Sequence, residues 1–205
     1  MSQIALPLDW PAAADERDFL VTPANEGVVR HFERWGTWPV MASLLLGPRK
    51  SGRSLLGRIV AQRFGGELAD NAEDWAEVAL FHAWNRAQER RRPLVIVADR
   101  EPPDWAIRLP DLASRIAATP RVVLSKPDAA LAAGLLEKLL NQRGLNAPPE
   151  LVRYLVPRIE RSYLGLHRTI EALDELAFEK RQGLTVPLAR AALLRLGLLR
   201  DAAAG

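Results

Sequence analysis

The hydrophobic residues of the chain follow two patterns, and one gives way to the other at about residue 127. Before this point, short continuous apolar runs alternate with stretches in which apolar residues recur every three or four positions. This predicts buried strands alternating with helices. The predicted strands are Val40 to Leu46, Leu68 to Ala69, Pro93 to Asp99 and Arg121 to Leu124. After residue 127 only helical spacing remains, over residues 128–143, 149–159, 163–180 and 187–196. The sequence therefore predicts an α/β domain with a parallel sheet, followed by a small all-α domain.

The same pattern gives the predicted domain boundaries. Residues 1–14 form an apolar peptide and a Pro/Ala-rich linker, residues 15–126 the α/β base domain, and residues 127–200 the helical domain. Within the base domain, helices are also expected over residues 26–35, 74–90 and 109–116.

A candidate phosphate loop follows the first long apolar run. The segment Gly47-Pro48-Arg49-Lys50-Ser51-Gly52-Arg53-Ser54 matches the pattern G-x-x-x-x-G-K-[ST], except that Arg53 stands at the lysine position. Arginine can hold a phosphate, but it need not place the phosphate for transfer as lysine would. The sequence therefore predicts nucleotide binding and leaves hydrolysis in doubt, and an ordinary strand-to-helix turn is the alternative. The predicted nucleotide contacts of this segment are Gly47, Pro48, Lys50, Ser51, Gly52, Arg53, Ser54 and Leu55.

Other candidate contacts lie around this loop. Val21 and Asn25 are expected to cover the base, with core packing and helix capping as the alternatives. Asp70 follows the short strand and is assigned, with Ser54, to magnesium; a helix start capped by Asp70 or Asp74 is the alternative. Asn71 stands where a water-activating carboxylate would be, and an amide cannot accept a proton at neutral pH.

Asp99 ends the predicted strand that begins at Pro93. The carboxyl ends of strands in an open α/β sheet face the ligand, so Asp99 could sense a terminal phosphate or its water. An aspartate that merely begins the turn before Pro102-Pro103 is the alternative.

The first residues read Gln3-Ile4-Ala5-Leu6-Pro7-Leu8. An extended peptide with one amide side chain and two leucines suits docking into apolar pockets of a partner through Gln3, Leu6 and Leu8. It is similar to the Gln-x-x-Leu-x-Leu peptides that bind the bacterial sliding clamp. An arm packed on its own domain is the alternative.

Composition narrows the possible classes of protein. The 205 residues include no cysteine, which excludes disulfides and thiolate metal sites and suits a reducing cytoplasm. The three histidines show no metal-ligand spacing, so no zinc is expected. The longest apolar run is too short to span a bilayer, and no membrane partner is expected. The net charge of +3 admits an anionic partner but indicates no direct nucleic-acid recognition.

Three later segments resemble the bacterial replication initiator DnaA. Val97-Ala98-Asp99-Arg100 is similar to its sensor strand, and Leu112-Ala113-Ser114-Arg115-Ile116 resembles the segment whose arginine reaches a neighbouring subunit's ATP. The helices after Pro127, with Glu160-Arg161-Ser162 and Thr169 to Asp174, resemble its lid. The resemblance implies an AAA+ P-loop base followed by a small all-α lid.

Together with the clamp-like peptide and the arginine in the phosphate loop, these segments resemble the Hda family, which regulates DnaA. The resemblance implies an adenine nucleotide, ADP or ATP, with Mg²⁺ as a possible companion. It also implies docking on the sliding clamp, the β subunit of DNA polymerase III, and contact with DNA through that clamp. Arg115 would then act as a finger on ATP held by DnaA. The lid arginine that contacts phosphates would align with His167, with Arg168 displaced by one residue.

Further expectations concern oligomeric state, location and competing functions. A finger on one edge and a nucleotide site on the other permit head-to-tail self-association. The protein is expected in the cytoplasm, at the nucleoid through the clamp. An AAA+ ATPase or loader acting on DNA is one competing function, and a non-catalytic adaptor that binds the clamp is another. Whether the chain turns over ATP itself is left open.

Overall fold

The computed structural model describes residues 19–199. Its base domain is built on a four-stranded sheet in the order β2-β3-β1-β4, and every pair of neighbours is parallel. The strands are β1 (Ala42–Leu46), β2 (Glu67–Ala69), β3 (Leu94–Val97) and β4 (Arg121–Val123). The helices of this domain are α1 (Glu26–Glu33), α2 (Arg53–Phe64), α3 (Glu77–Arg90) and α4 (Pro110–Ala118). The predicted parallel α/β fold is confirmed.

The sheet is buried on both faces because its strand residues are apolar without interruption. Leu44 and Ile96 point to one face, where they meet residues of α3 and α4 such as Leu80 and Leu112. Leu45, Val95 and Val97 point to the other face and pack against α1 and α2, through residues that include Phe32 and Leu56. Alternate residues of a strand point to opposite faces, so the same short runs supply both cores.

Four further helices form the lid: α5 (Ala129–Gln142), α6 (Pro149–Leu155), α7 (Tyr163–Lys180) and α8 (Val186–Arg195). Their buried leucines and isoleucines form a cluster of their own, centred on residues such as Leu140, Leu155 and Leu173. The Asp128 carboxylate accepts a hydrogen bond from Leu131 N, and the Ser162 hydroxyl accepts one from Gly165 N. These are side-chain caps that fix where α5 and α7 begin.

Several predicted boundaries were wrong by a few residues. The helix expected over 149–159 ends at Leu155, because Pro157 has no N–H to continue it. The helix expected from residue 74 begins at Glu77, after a separate 3₁₀ turn at Ala72–Asp74. The first helix ends at Glu33 and is followed by a 3₁₀ turn at Trp35–Thr37.

Other differences are smaller. The third strand ends at Val97, two residues before Asp99. The remaining helix and strand ends lie within one or two residues of expectation. Across residues 19–199, no helix has both the length and the apolar character needed to cross a lipid bilayer.

Candidate functional site

The phosphate loop joins β1 to α2 in the conformation that its glycines allow. Gly47 has φ 153°, and a Cβ there would lie 2.9 Å from the Cβ of Leu124. Lys50 and Gly52 also have positive φ, at 67° and 86°. The loop therefore turns sharply into the N-terminus of α2, where amide groups and the helix dipole favour an anion.

The hydroxyl of Ser51 supports this assignment. Its Oγ is buried inside the loop and has no hydrogen-bond partner within the part of the chain that the structure describes. Buried polar atoms are normally paired, so an unpaired hydroxyl in a phosphate loop marks a place where a ligand oxygen fits. The residues present therefore suit a phosphate group.

A cavity of about 280 Å³ opens beside the loop, between the base and the lid. Its base-domain lining is Phe19, Leu20, Asn25, Lys50, Ser51, Gly52 and Leu55, and its lid lining is Leu131, Leu135, Lys138, Leu139, Gln142, Tyr163 and His167. A mostly apolar slot that also carries polar groups, next to a phosphate loop, is the kind of site that holds a planar base beside bound phosphates.

Asn25 lines this cavity and also holds the turn that precedes α1. Its side chain is 3% exposed, accepts a hydrogen bond from Thr22 N and donates one to Leu20 O, each 2.8 Å long. Asn25 occupies the N-cap position of α1, as the alternative interpretation had it, but its side chain makes no cap hydrogen bond to the helix. The turn that it fixes places Phe19 and Leu20 against the cavity, whereas Val21 is 54% exposed and outside the lining.

A second cavity of about 350 Å³ continues from the loop toward the carboxyl ends of β2 and β3. It is lined by Arg49, Lys50, Arg53, Ser54, Asn71, Asp99 and Leu164. Lys50 borders both cavities and so lies where the two halves of a nucleotide site meet. Pro48, at the outer side of the loop, borders neither of them.

Ser54 and Asp70, the predicted magnesium pair, contact each other, and Ser54 lines this second cavity whereas Asp70 lies behind it. The Ser54 hydroxyl donates a 2.9 Å hydrogen bond to Asp70 Oδ1, which also accepts from Asn71 N at 3.1 Å. Among residues 19–199 there is no cluster of three or more histidine or carboxylate side chains that could hold a metal. A hydroxyl and a carboxylate fit magnesium only when phosphate oxygens and water complete its coordination.

The alternative interpretation, in which Asp70 or Asp74 caps the next helix, does not match the structure. The residue before α3 is Ala76, and α3 has no side-chain cap.

The side chain of Arg53 extends to the end of β3. It donates from Nη1 to Ala98 O and from Nη2 to Asp99 Oδ1, and the residue is 8% exposed. The hydrogen bond and the charge of Arg53 hold the pKa of the Asp99 carboxyl below its usual range. The cation at the motif's lysine position is thus already paired within the protein.

Of three residues of α7 on the lid side of the site, two line the cavities and one does not. His167 lines the first cavity, and burial and the nearby charge of Lys50 lower its pKa. Arg168 is exposed and borders neither cavity. Leu164, three residues before His167, reaches the second cavity; sequence analysis missed it, although this spacing places it on the same helix face.

Arg115 lies on α4 and lines neither cavity. Its guanidinium carbon is 4.4 Å from the ring centroid of Phe81 and 4.7 Å from that of Trp84, and its Nη1 donates to Asn85 Oδ1. These three partners share one face of α3, at positions i, i+3 and i+4. The side chain is therefore half-buried and held in one orientation.

The loop that leads into α4 is also fixed. Glu77 accepts hydrogen bonds from Arg108 N at 2.9 Å and from Leu109 N at 2.6 Å. These backbone donors lower the pKa of the Glu77 carboxyl. The first turn of α3 thus sets where α4 begins.

Comparison with known proteins adds two findings. Residues 131–193, which span the lid helices, match the family model described as the Hda lid domain. The whole fold is similar to domain III of the replication initiation protein DnaA from Thermotoga maritima, with a TM-score of 0.69, 15% identity, and coverage of 90% of this chain and 97% of that one. The chain thus combines a lid region that matches the Hda family model with the fold of DnaA domain III.

Two other solved structures share the fold of this chain. AMPPCP-bound DnaA from Aquifex aeolicus matches with a TM-score of 0.57 and 16% identity over 80% of this chain and 65% of that one. The RuvB Holliday junction branch migration motor from Thermotoga maritima matches with a TM-score of 0.59 and 11% identity over 84% and 68%. The chain therefore spans about two-thirds of the length of these longer proteins, and the likeness is one of fold.

Proposed function

We propose that this chain binds an adenine nucleotide and regulates replication initiation by stimulating ATP hydrolysis in DnaA, with Arg115 supplied in trans. The observation that carries the proposal is the placement of Arg115. It lines neither cavity of the chain's own site, yet it is held in one orientation on α4 by Phe81, Trp84 and Asn85. The match to the Hda lid domain supports DnaA as the partner.

Arg115 has the chemistry of a finger. A guanidinium carries five N–H donors, and Asn85 is its only side-chain hydrogen-bond partner among residues 19–199, so further donors can reach a phosphate of another subunit. Arginine fingers stabilise the charge that develops on the transferred phosphoryl group and raise turnover about 10³- to 10⁵-fold. Holding the side chain in advance lowers the entropy lost when it docks.

The chain's own nucleotide has a supporting role in this proposal. Phe19, Leu20 and the lid leucines would enclose the base, and the amides of residues 47–54 would hold the phosphates. The AMPPCP-bound state of the Aquifex aeolicus DnaA supports an adenine nucleotide here. We propose ADP, with Mg²⁺ at Ser54 and Asp70 where it is bound at all.

We do not propose that this chain hydrolyses ATP efficiently by itself. Asn71 stands at the position of a water-activating base and offers no proton acceptor, and Arg53 is committed to Ala98 and Asp99. The Ser54–Asp70 pair favours, as a second candidate, an AAA+ enzyme that hydrolyses its own ATP. Turnover by the isolated chain that is lost in Asp70→Ala would support that second function.

Arg115→Ala tests the finger. The rate of ATP hydrolysis by DnaA is measured with DNA-loaded clamp, with and without this protein. The variant is expected to lower the stimulated rate about 10³-fold, to the level of DnaA alone, because the cation is lost. Arg158→Ala is the matched control, since Arg158 also stacks on an aromatic ring, with its guanidinium carbon 4.2 Å from the Tyr154 ring centroid, but lies in the lid. Full stimulation by Arg115→Ala would exclude the finger role.

The N-terminal peptide is a separate part of the proposal. Gln3, Leu6 and Leu8 lie outside the described residues, so docking on the sliding clamp rests on their sequence alone. A chain without residues 1–8 is expected to lose binding to immobilised clamp and to retain nucleotide affinity, because the cavity lining begins at Phe19. Retained clamp binding would make this peptide an arm of its own domain and would favour another docking surface.

A further inference from the structure

Exposed arginines gather at the end of the base domain that lies opposite the phosphate loop. The helices α1, α2 and α3 each lead into the amino end of a strand, and because the sheet is parallel these three helix ends lie on one side of the domain. Met41 N, just before β1, donates a 2.9 Å hydrogen bond to Gln88 Oε1 near the end of α3. The exposed arginines of these helix ends form the arginine surface: Arg30, Arg34, Arg63, Arg91 and Arg92.

Two aromatic side chains join the parts of the arginine surface. The ring centroid of Trp35 lies 6.0 Å from that of Phe64, the last residue of α2. The guanidinium carbon of Arg63 is 5.3 Å from the centroid of the Phe64 ring, and Arg92 Nη1 donates a 3.4 Å hydrogen bond to Phe64 O. Arg34 directly precedes Trp35 in the chain. Only the fold therefore brings the arginines of α1 and α2 beside those that follow α3.

A cavity of about 290 Å³ opens on the α1 side of this surface. Its lining consists of Gly27, Arg30, His31, Arg34, Thr37 and Trp38. The His31 ring stacks on the Trp38 ring with centroids 4.8 Å apart, and His31 Nε2 lies 2.8 Å from Ser43 Oγ, so the inner wall is fixed. A cavity with two arginines and no carboxylate in its lining suits a phosphate group.

The negative charge of these helix ends is partly neutralised within the chain. The carboxylates concerned are Glu26, Glu33, Glu67 and Glu89. Glu26 pairs with Arg30 over 2.5 Å, Glu67 pairs with Arg86 over 2.8 Å, and the charge of Glu89 also acts on Arg86. Most of the acidic side chains are therefore directed to arginines other than Arg34 and Arg91.

Arg34 and Arg91 distinguish this surface from an ordinary set of helix ends. The helix dipole favours a cation at the carboxyl end of any helix, so position alone does not indicate a ligand. Both side chains are exposed, and within residues 19–199 neither is engaged by a side-chain hydrogen bond or an ion pair. Their donors are free to bind an anion from outside the chain.

We propose that the arginine surface binds the phosphate backbone of duplex DNA without regard to base sequence. Arginine matches phosphate because its planar guanidinium can donate two parallel hydrogen bonds. A single strand needs open aromatic faces on which bases stack, whereas the Phe64 ring is already covered by Arg63 and Trp35. The inference goes beyond the proposed function, because this contact with DNA needs neither the clamp nor Arg115.

A lipid surface is the other common polyanion, and the described residues do not favour it. Membrane-binding surfaces combine cations with exposed apolar side chains that enter the lipid. Among residues 19–199, the large exposed hydrophobic residues are Val21, Val78, Val123, Leu164, Phe178 and Leu198, and none belongs to the arginine surface.

The test is binding of the full chain to a fluorescent duplex of about 30 base pairs, without clamp or DnaA, followed by anisotropy between about 50 and 200 mM salt. The unmodified chain is expected to bind with a Kd of about 10⁻⁶ to 10⁻⁴ M. The logarithm of the association constant should fall against the logarithm of the salt concentration with a slope of about −4, because about four or five phosphates are neutralised.

Arg34→Gln combined with Arg91→Gln removes the two unpaired cations. This double variant is expected to bind at least about tenfold more weakly at the lowest salt, with a slope shallower by about 2. The matched control combines Arg153→Gln with Arg181→Gln, which removes the same charge from exposed positions of the lid. Arg91 and Arg181 each follow the last residue of a helix, with φ 48° and 50°, so both substitutions keep the backbone strain unchanged.

The folded state of each variant is checked by thermal unfolding. If the first double variant does not fold, Arg34→Gln alone decides the question, with a slope expected to be shallower by about 1.

Three results would overturn the inference. The first is no binding of the unmodified chain to the duplex at the lowest salt. The second is an equal loss in both double variants, which would make net charge the cause. The third is tighter binding to a single strand of equal length, or to vesicles that contain phosphatidylserine, than to the duplex. None of them affects the proposed regulation of DnaA, because Arg115 and residues 1–8 are tested separately.

Discussion

At the scale of single residues, the ion pair between Arg53 and Asp99 shapes the nucleotide site most. Arg53 extends from the first residue of α2 to the end of β3, so the pair ties the phosphate loop to the sheet. A buried cation needs such a partner, because an unpaired charge in the interior is costly. The side chain that the motif would offer to phosphate is used here to hold the fold.

The Arg53–Asp99 pair is expected to contribute stability that depends on pH. The pKa of Asp99 is lower in the folded chain than in the unfolded chain, so the pair stabilises fully above the unfolded value. The contribution is lost as the pH falls from about 4 through the lowered folded pKa. Asp99→Asn should therefore reduce the free energy of unfolding by about 1–2 kcal/mol at pH 7, limited by the exposure of Asp99.

Urea unfolding of both chains at pH 7, 5 and 3 measures this effect. The difference in unfolding free energy is expected to be the same at pH 7 and 5 and smaller at pH 3. Glu101→Gln is the control, because it loses only the exposed ion pair with Arg121 and should cost less at pH 7. A difference for Asp99→Asn that stays constant down to pH 3 would show that charge does not hold Arg53 in place.

At the scale of elements, α3 contacts both the sheet and α4. Leu80, Ala83 and Ala87 pack into the core against the sheet, and Phe81 and Trp84, which pack against the same core, hold Arg115 of α4. A helix with one apolar stripe would show a single row of hydrophobic residues. The extra aromatic residues widen the stripe to accept α4, and Arg115 lies between the two helices.

The connection from α2 to β2 depends on Gly66. A Cβ at this position would lie 2.1 Å from Pro93 O, the same carbonyl that accepts a 2.9 Å hydrogen bond from Glu67 N. Gly66→Ala should therefore push β2 away from β3 and lower the free energy of unfolding by about 3 kcal/mol.

Thermal unfolding followed by circular dichroism tests this expectation. Gly36→Ala is the matched control, because a Cβ at Gly36 would meet no atom within 4 Å. It should leave the stability unchanged or slightly raised. Equal melting temperatures for both variants would mean that β2 can shift to accommodate the added methyl group with no loss of stability.

At the scale of the whole molecule, the base domain and the lid have separate hydrophobic cores, and the first cavity lies between the two domains. Lid and base contribute about equally to its lining, and the Tyr163 hydroxyl donates a 3.2 Å hydrogen bond to Ser125 O where the chain passes between the two domains. A ligand in this cavity would contact both domains. Binding should therefore stabilise base and lid together.

ADP at about 100 times its Kd is expected to stabilise the folded chain by about 2.7 kcal/mol, which corresponds to a rise in Tm of roughly 5–10 °C for a chain of this size. Lys50→Ala should reduce the rise, because Lys50 borders both cavities, and it should not lower the Tm without nucleotide, because Lys50 is exposed. Arg58→Ala, an exposed arginine on α2, is the control and should retain the full rise. The same rise in Lys50→Ala would remove this lysine from the phosphate site.

Much of the fold and part of the site could be read from the sequence. Strand-forming runs such as Val40 to Leu46, the phosphate loop and the helices of the lid were recognisable, because local spacing and glycine chemistry decide them. Helix ends were less certain. A proline such as Pro157 or a separate turn such as Ala72–Asp74 changes where a helix ends or begins by only a few residues. One periodic pattern of apolar residues is compatible with several such helix ends.

The sequence by itself determined the class of fold, the position of the loop and the residue types available to a nucleotide. Only the tertiary structure decided which of them face the cavities. It paired Arg53 with Asp99, turned Val21 outward, placed Leu164 rather than Arg168 at the second cavity, and set Arg115 against Phe81. The physical reason is that a side chain's partner depends on how two distant elements pack, whereas the spacing of residues along the chain records only which face of its own element each one occupies.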